Sequence, residues 1–260
     1  MINILKSIYI LLNFFLFLLF SLILYPFNYN DTTRRTILKI TGKFWYNICF
    51  YLLNNKITFI SKPKIKNNDI NIINANHSFQ IDYLIINYIF CLYKIKPYQI
   101  RSFSTNVNIS FLDKVILNYI DACMINSKDY RNSIINSIKR WSKRPYAKFV
   151  IMFFEGVANS DLKNNKQLIL KPKKLGFNII MKNIPKKNKY LTDINIVYSK
   201  NGKVYDGTNK QLIYDLLLGN KVKIYVEINN YLLPDKNYSE WLDKLYVKKE
   251  NKIKKIILKL

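Results

Sequence analysis

The chain has 260 residues with 42 Lys and Arg against 16 Asp and Glu, a formal charge of +26, and its length suits one sizeable domain with appendages rather than several domains. Such a charge fits an anionic partner, whether nucleic acid, a membrane surface or an anionic substrate. Part of the lysine surplus belongs to a general skew toward Lys, Asn, Ile and Tyr, with only 6 Gly, that an AT-rich coding sequence produces, and in the absence of an aromatic-interleaved basic motif a nucleic-acid partner is set aside.

Residues 1–30 read as a transmembrane anchor. Positions 8–27 are almost wholly apolar and uncharged, about the ~20 residues a helix needs to cross a bilayer. A cleaved leader would have a shorter apolar core ending in small residues, and Leu24-Tyr25-Pro26-Phe27 offers no such site. Arg34, Arg35, Lys39 and Lys43 follow the span, against Lys6 and the α-amino group before it. The positive-inside rule then puts the body of a single-pass protein in the cytosol; in a eukaryotic cell the host would be the endoplasmic reticulum or another endomembrane.

Residues 31–55 carry an amphipathic helix over 32–53, with Ile37, Ile40, Phe44, Ile48 and Tyr51 at spacings of three and four, expected to lie along the membrane or to pack the next domain against it. That domain spans 56–237. Strands are predicted at 56–60 and 70–73 around a loop at 62–68, then a helix at 83–93, strand 98–104, helix 111–119, strand 121–125, helix 129–141 and strand 148–154. After a loop come a helix at 175–184, strand 193–198, helix 211–218 and strand 222–228. The alternation predicts an α/β fold, a central, mostly buried sheet flanked by helices. Residues 238–260 set Trp241, Leu242, Leu245, Ile253, Ile256, Ile257 and Leu260 among lysines. This basic amphipathic tail suits either the domain surface or a membrane surface. Cys49, Cys91 and Cys123 lie in apolar segments without C-x-x-C or metal-ligand spacing, so reduced, buried thiols are expected.

The stretch 74–84, N-A-N-H-S-F-Q-I-D-Y-L, holds the chain's single histidine, so imidazole chemistry near neutral pH falls to His77. It sits where a strand hands over to a helix. Asp82 is five residues on, off the helical three-or-four spacing. The two meet only if His77 is in the turn and Asp82 in the first helical turn. There the positive helix end disfavours imidazolium and keeps the ring neutral, as a general base requires. Asp82 would hold one ring nitrogen and fix the tautomer. A second point of interest is Phe153-Phe154-Glu155-Gly156 at the end of an apolar strand. Open α/β sheets place ligand contacts at such ends, and glycine permits close backbone approach.

Asn76-His77 with Asp82 resembles the N-H-x-x-x-x-D first motif of the lysophospholipid acyltransferases, the family of 1-acylglycerol-3-phosphate O-acyltransferases. Phe153 to Gly156 resembles the family's F-P-E-G-T-R motif, with Phe154 at the Pro position, Val157 at Thr and Ala158 at Arg. Leu170-Lys171-Pro172-Lys173 followed by Leu175-Gly176-Phe177 resembles the L-x-P-R-t-x-G-F stretch of the eukaryotic branch that includes the lysophosphatidate and lysocardiolipin acyltransferases, with Lys173 at the arginine position. The strand ending at Tyr198 and the Trp241-Leu242 tail are similar to further elements of that branch. The second motif, G-x-I-F-I-x-R, falls on residues 121–127, which lack its Gly and Arg; Lys128 or Arg131 stands nearby for the missing charge.

The resemblance implies transfer of a fatty acyl group from acyl-CoA, a co-substrate, to the free hydroxyl of a lysophospholipid, with no cofactor and no metal. It implies that His77 takes the hydroxyl proton, that Asp82 orients His77, that Glu155 and Gly156 position the glycerol part and that Lys173 faces the phosphate. Membrane lipids are the remaining partner, since positive charge concentrates anionic amphiphiles at a bilayer. The alternative is a membrane-anchored, catalytically impaired homologue that binds lipid or protein, motivated by the lost second-motif Arg and by Ala158.

Overall fold

The computed structural model describes residues 2–24, 26, 30–61, 65, 71–105, 117, 121–125, 127–144, 147–158, 168–184, 190–218 and 221–260. Two long helices come first, α1 (Ile2–Leu24) and α2 (Asp31–Leu53), the second capped by Asn30, whose side chain accepts from Thr33 N–H at 2.8 Å. Then follow β1 (Ile57–Phe59), β2 (Asn71–Ala75), α3 (Asp82–Leu92), β3 (Ile100–Thr105), β4 (Cys123–Ile125), α4 (Tyr130–Ser142) and β5 (Phe149–Ile151). The chain closes with α5 (Lys174–Asn183), β6 (Tyr190–Lys200), β7 (Lys203–Val204), α6 (Asn209–Leu218), β8 (Val222–Leu232) and α7 (Tyr238–Ile257). Apart from residues 117 and 65, the helix expected over 111–119 and the loop at 62–68 lie outside the described residues.

The strands order as β1-β8-β6-β2-β5-β3-β4, with β7 paired to β6. From β6 to β4 the neighbours are parallel, while β8 runs antiparallel to β6. Parallel central strands must be covered on both faces, and the sequence supplies this with unbroken apolar runs. Ile73 and Ile151 turn to one face with α2, α3 and α6, whereas Ile72 and Val150 turn to the other with α4, α5 and α7. The period of two along each strand thus fills two cores at once. The result is the sequence-predicted α/β sheet with helices on both sides.

Several boundaries move. The strand expected over 148–154 stops at Ile151, leaving Phe154 and Glu155, both buried, in the turn that follows. Strands β6 and β8 run to eleven residues each in unbroken antiparallel register. On α2 the buried row is Ile37, Leu38, Thr41, Gly42, Ile48, Cys49, Leu52 and Leu53, while Ile40 and Tyr51, expected inside, are 43% and 40% exposed. The reason is that α2 is buried from two sides at once, by the sheet domain and by α1. Of the cysteines, Cys49 and Cys123 are buried and free, and Cys91 is free but only half-buried.

Helix α1 runs antiparallel along α2. Tyr9 meets Tyr51 at 4.5 Å between ring centres, Phe17 meets Trp45 at 5.3 Å and Phe20 stacks on Phe44 at 5.4 Å. Asn47 donates to Asn13 Oδ1 at 3.2 Å between them. Ile10 and Phe17 join the same apolar cluster as β2 and α3. The opposite side of α1 is apolar and open, with Leu11 and Phe15 each 60% exposed. The window Ser7–Leu24 is long and apolar enough to cross a membrane, and 22% of it is buried within the protein.

The C-terminal helix spends its apolar side on the domain. Leu242, Leu245 and Tyr246 enter the second core, and Ile253 and Ile256 pack on Val197. At the N-terminal end of β4, Asp121 gathers Arg34 of α2 (3.6 Å), Arg101 of β3 (3.2 Å), Arg140 of α4 (2.9 Å) and Arg144. The start of the second-motif stretch is therefore an ion cluster tying helix to sheet, at the far end of the strands from His77.

Candidate active site

The site is built on the turn between β2 and α3. Beyond Ala75 the chain cannot continue as a strand, yet Asn76 keeps it bound to β6 by imitating one. Its Oδ1 accepts from Ile196 N–H at 2.7 Å and its Nδ2 donates to Ile196 O at 2.8 Å. A second bond from Nδ2, to Ser78 Oγ at 2.9 Å, closes the turn. His77 is thereby presented on a fixed backbone at the carboxyl end of β2, where open α/β sheets place their ligand contacts.

Helix α3 begins at Asp82, fully buried. Asp82 Oδ2 accepts from Phe79 N–H at 3.0 Å and lies 3.3 Å from His77 Nδ1. The carboxylate thus folds back over its own turn, at the end of the helix where a negative charge is favoured. Its other oxygen, Oδ1, accepts a short hydrogen bond from the Tyr198 hydroxyl on β6. Burial first, and then the Asp82 charge, push the Tyr198 phenol well above its usual range, so that it stays a donor. With Nδ1–H directed at Asp82, the lone pair of His77 sits on Nε2, free to take a proton.

The second half of the site comes from the neighbouring strand, β5. Phe153 follows it and lays its ring against the His77 imidazole, with centres 4.1 Å apart and planes 16° apart. Glu155 follows in the turn, only 2% exposed. One of its oxygens accepts from Leu170 N–H at 3.1 Å, and the other has no hydrogen-bond partner among the described residues. Burial raises the carboxyl from an ordinary 4.5 to about 7, against the lowering pull of Leu170 N–H, Lys249 and His77. A half-protonated carboxyl beside an imidazole can give a hydrogen bond as well as take one.

Gly156 adopts φ +78, a conformation that side chains resist. A β-carbon there would also stand 2.8 Å from Lys173 Cδ and 2.9 Å from its Nζ. The exposed Lys173 side chain therefore lies across Gly156, while its backbone N–H donates to Phe154 O at 2.7 Å. The sequence-predicted residues fall into two groups. His77 and Asp82 are in contact with each other, and Glu155, Gly156 and Lys173 line the adjoining turn. Lys128 and Arg131 are exposed just beyond β4, at the same end of the sheet. Ala158 is 1% exposed, a small apolar plug where the resembled motif carries its arginine. Among the described residues no group of three His, Cys, Asp or Glu could hold a metal.

Sequence reasoning brought out Tyr198 and Phe153 only as positions in resembled motifs, and gave neither the hold of Tyr198 on Asp82 nor the stacking of Phe153 on His77. It named Asn76 only as part of the resembled first motif and gave Asn74 no role, although two asparagines at a spacing of two, beside a histidine, share one face of a strand end.

No protein-family model matches the chain, and no curated protein matches it. Among solved structures it is similar to the crystal structure of the 1-acyl-sn-glycerophosphate (LPA) acyltransferase PlsC from Thermotoga maritima, with a TM-score of 0.59 at 16% sequence identity, covering 99% of this chain and 97% of that one. From the first helix to the last, the chain has the fold of that acyltransferase.

Proposed function

We propose that the protein is a membrane-bound acyltransferase that moves a fatty acyl group from acyl-CoA to the free hydroxyl of a lysophospholipid such as 1-acylglycerol-3-phosphate. The observation that carries this reading is the His77–Asp82 pair beside Glu155, on a fold shared with an enzyme of that name. In the reaction His77 Nε2 takes the hydroxyl proton while the oxygen attacks the thioester carbonyl. The tetrahedral intermediate collapses, the C–S bond breaks, and the departing CoA thiolate recovers the proton from the imidazolium. Asp82, itself held by Tyr198, keeps the ring in the Nδ1–H tautomer and offsets the imidazolium charge. Glu155 and Gly156 position the glycerol part, and Lys173 faces the phosphate as a point charge. The eukaryotic-branch assignment rests on the 170–177 stretch, the strand ending at Tyr198 and the Trp241-Leu242 tail.

Attachment to the bilayer is through the open face of α1. Because α1 lies along α2, whose Lys39 and Lys43 are exposed, burying the pair across a bilayer would drag those charges into hydrocarbon. An in-plane seat for α1 avoids that cost.

The test is release of free thiol from acyl-CoA by the purified protein in lipid vesicles, across a panel of lysolipids, with His77→Ala as the control. General-base catalysis contributes about 10²–10⁴-fold, so His77→Ala should keep under about one per cent of the rate. Full thiol release by His77→Ala would sink the reading, since no second imidazole exists in the chain. The buried Ala158 favours the second reading, an impaired homologue that holds lipid without turning it over. Lysolipid binding with no thiol release by the wild-type protein would select it.

A further inference from the structure

One lysine of α7 does not face water. Lys249 is 1% exposed, and a buried ammonium is costly unless it is paired and hydrogen-bonded. Its Nζ donates to Asp193 Oδ1 at 2.7 Å and to Ile194 O at 3.0 Å, both on β6. Asp193 is equally buried, and the same Oδ1 accepts from Asn74 Nδ2 at 2.6 Å. Ile194 O also accepts from Asn76 N–H at 3.3 Å. Asn74 passes the contact on, because its Oδ1 accepts from Phe154 N–H at 3.2 Å. A single ammonium thus reaches, through two acceptors on β6, both asparagines ahead of His77 and the residue ahead of Glu155.

We propose that Lys249 is a positioning residue, whose ion pair with Asp193 fixes the His77 turn and the Glu155 turn relative to each other from the C-terminal helix. Holding α7 on the domain does not call for a charge. Leu242, Leu245 and Ile253 already do that, and a buried ion pair is commonly no more stabilising than apolar residues of the same volume. What an apolar side chain cannot do is bind one carboxylate and one carbonyl that are each shared with the segment before His77. Half-satisfied buried networks are costly, so the pair admits one arrangement of Asn74 and Asn76 and penalises others. The role rests on the acyl-transfer reading given above, whereas the geometry of the turn is readable without it.

His77 is the chain's single histidine, so isotope labelling of histidine in the full-length protein in detergent micelles gives one imidazole spin system. Asp193→Asn/Lys249→Met removes both charges while leaving an amide oxygen for Asn74. The expected result is a cooperatively folded protein whose imidazole resonances shift or split. Its kcat should fall tenfold or more, and KM for either substrate should stay within threefold. A folded double variant with wild-type resonances and wild-type kcat overturns the proposal. Failure of the double variant to fold also overturns it, since the pair would then be a requirement of the whole fold. A wild-type protein that transfers no acyl group would defeat the proposed function instead, and the imidazole signal would still report whether Lys249 governs the turn.

Discussion

Tyr198 donates its phenolic hydrogen to the oxygen of Asp82 that His77 does not face. The carboxylate is therefore gripped from β6 as well as from its own turn, and the histidine is oriented by a residue that is itself oriented. Tyr198→Phe keeps the ring, which packs edge-on against Phe79 at 4.9 Å, and removes only the donor. A buried carboxylate oxygen left unpaired costs about 1–3 kcal/mol. The expected outcome is a comparable loss of stability in urea denaturation with a roughly tenfold lower kcat and an unchanged KM. Lost stability at full kcat would make Tyr198 a packing residue.

Glu155 makes a signed prediction about pH. Its carboxyl is raised in the folded protein from 4.5 to about 7, so between those values the folded state binds more protons than the unfolded one, and stability falls as pH rises through that window. Above pH 7 the full penalty applies, on the order of 3 kcal/mol for such a difference. Glu155→Gln removes the ionisation while an amide oxygen can still accept from Leu170. The variant should be more stable than the wild type at pH 8 and about equal to it at pH 4.5, as read from thermal unfolding at the two pH values. A stability difference that does not change with pH would mean that Glu155 stays ionised in the fold.

How much of this was legible in the sequence differs between parts of the site. The His77–Asp82 contact was, because a five-residue separation at a strand–helix junction leaves one geometry in which the two can meet. The α/β sheet was as well, since unbroken apolar runs such as Phe149-Val150-Ile151 have no stable place except between two layers of helices. The network beneath the site was not. Lys249 stands among the solvent-facing lysines of a basic helix, and its burial depends on Asp193, 56 residues away. The bond of Tyr198 to Asp82 was hidden for the same reason, 116 residues lying between them. Long-range polar pairing leaves no period in a sequence, whereas apolar burial does.

Lys173 is exposed and lies across Gly156, a position from which a flexible cation can reach an anionic acceptor. If it meets the phosphate, Lys173→Ala removes binding that ground state and transition state share. KM for a lysophosphatidate-like acceptor should then rise roughly three- to tenfold with little change in kcat, and an acceptor without a phosphomonoester should show less of the effect. An unchanged KM would shift the phosphate contact to Lys171, Lys128 or Arg131.

The membrane prediction follows from the two faces of α1. Deleting the helix would uncover the part of the core that Ile10 and Phe17 complete, so a truncated chain would confuse misfolding with release from lipid. Point changes separate the two. Leu11 and Phe15 are each 60% exposed and point away from α2, and burying each such side chain in an apolar phase is worth about 1.5–3 kcal/mol. Leu11→Glu/Phe15→Glu should lower vesicle partitioning by at least about tenfold, as read from flotation, while leaving the thermal unfolding of the detergent-solubilised protein nearly unchanged. Phe17→Ala, inside the helix pair, should do the reverse, costing about 3–5 kcal/mol of stability with partitioning of the folded fraction preserved. Undiminished flotation of the doubly charged variant would show that α1 is not the attachment surface and would transfer that role to the exposed cations of α2 and α7.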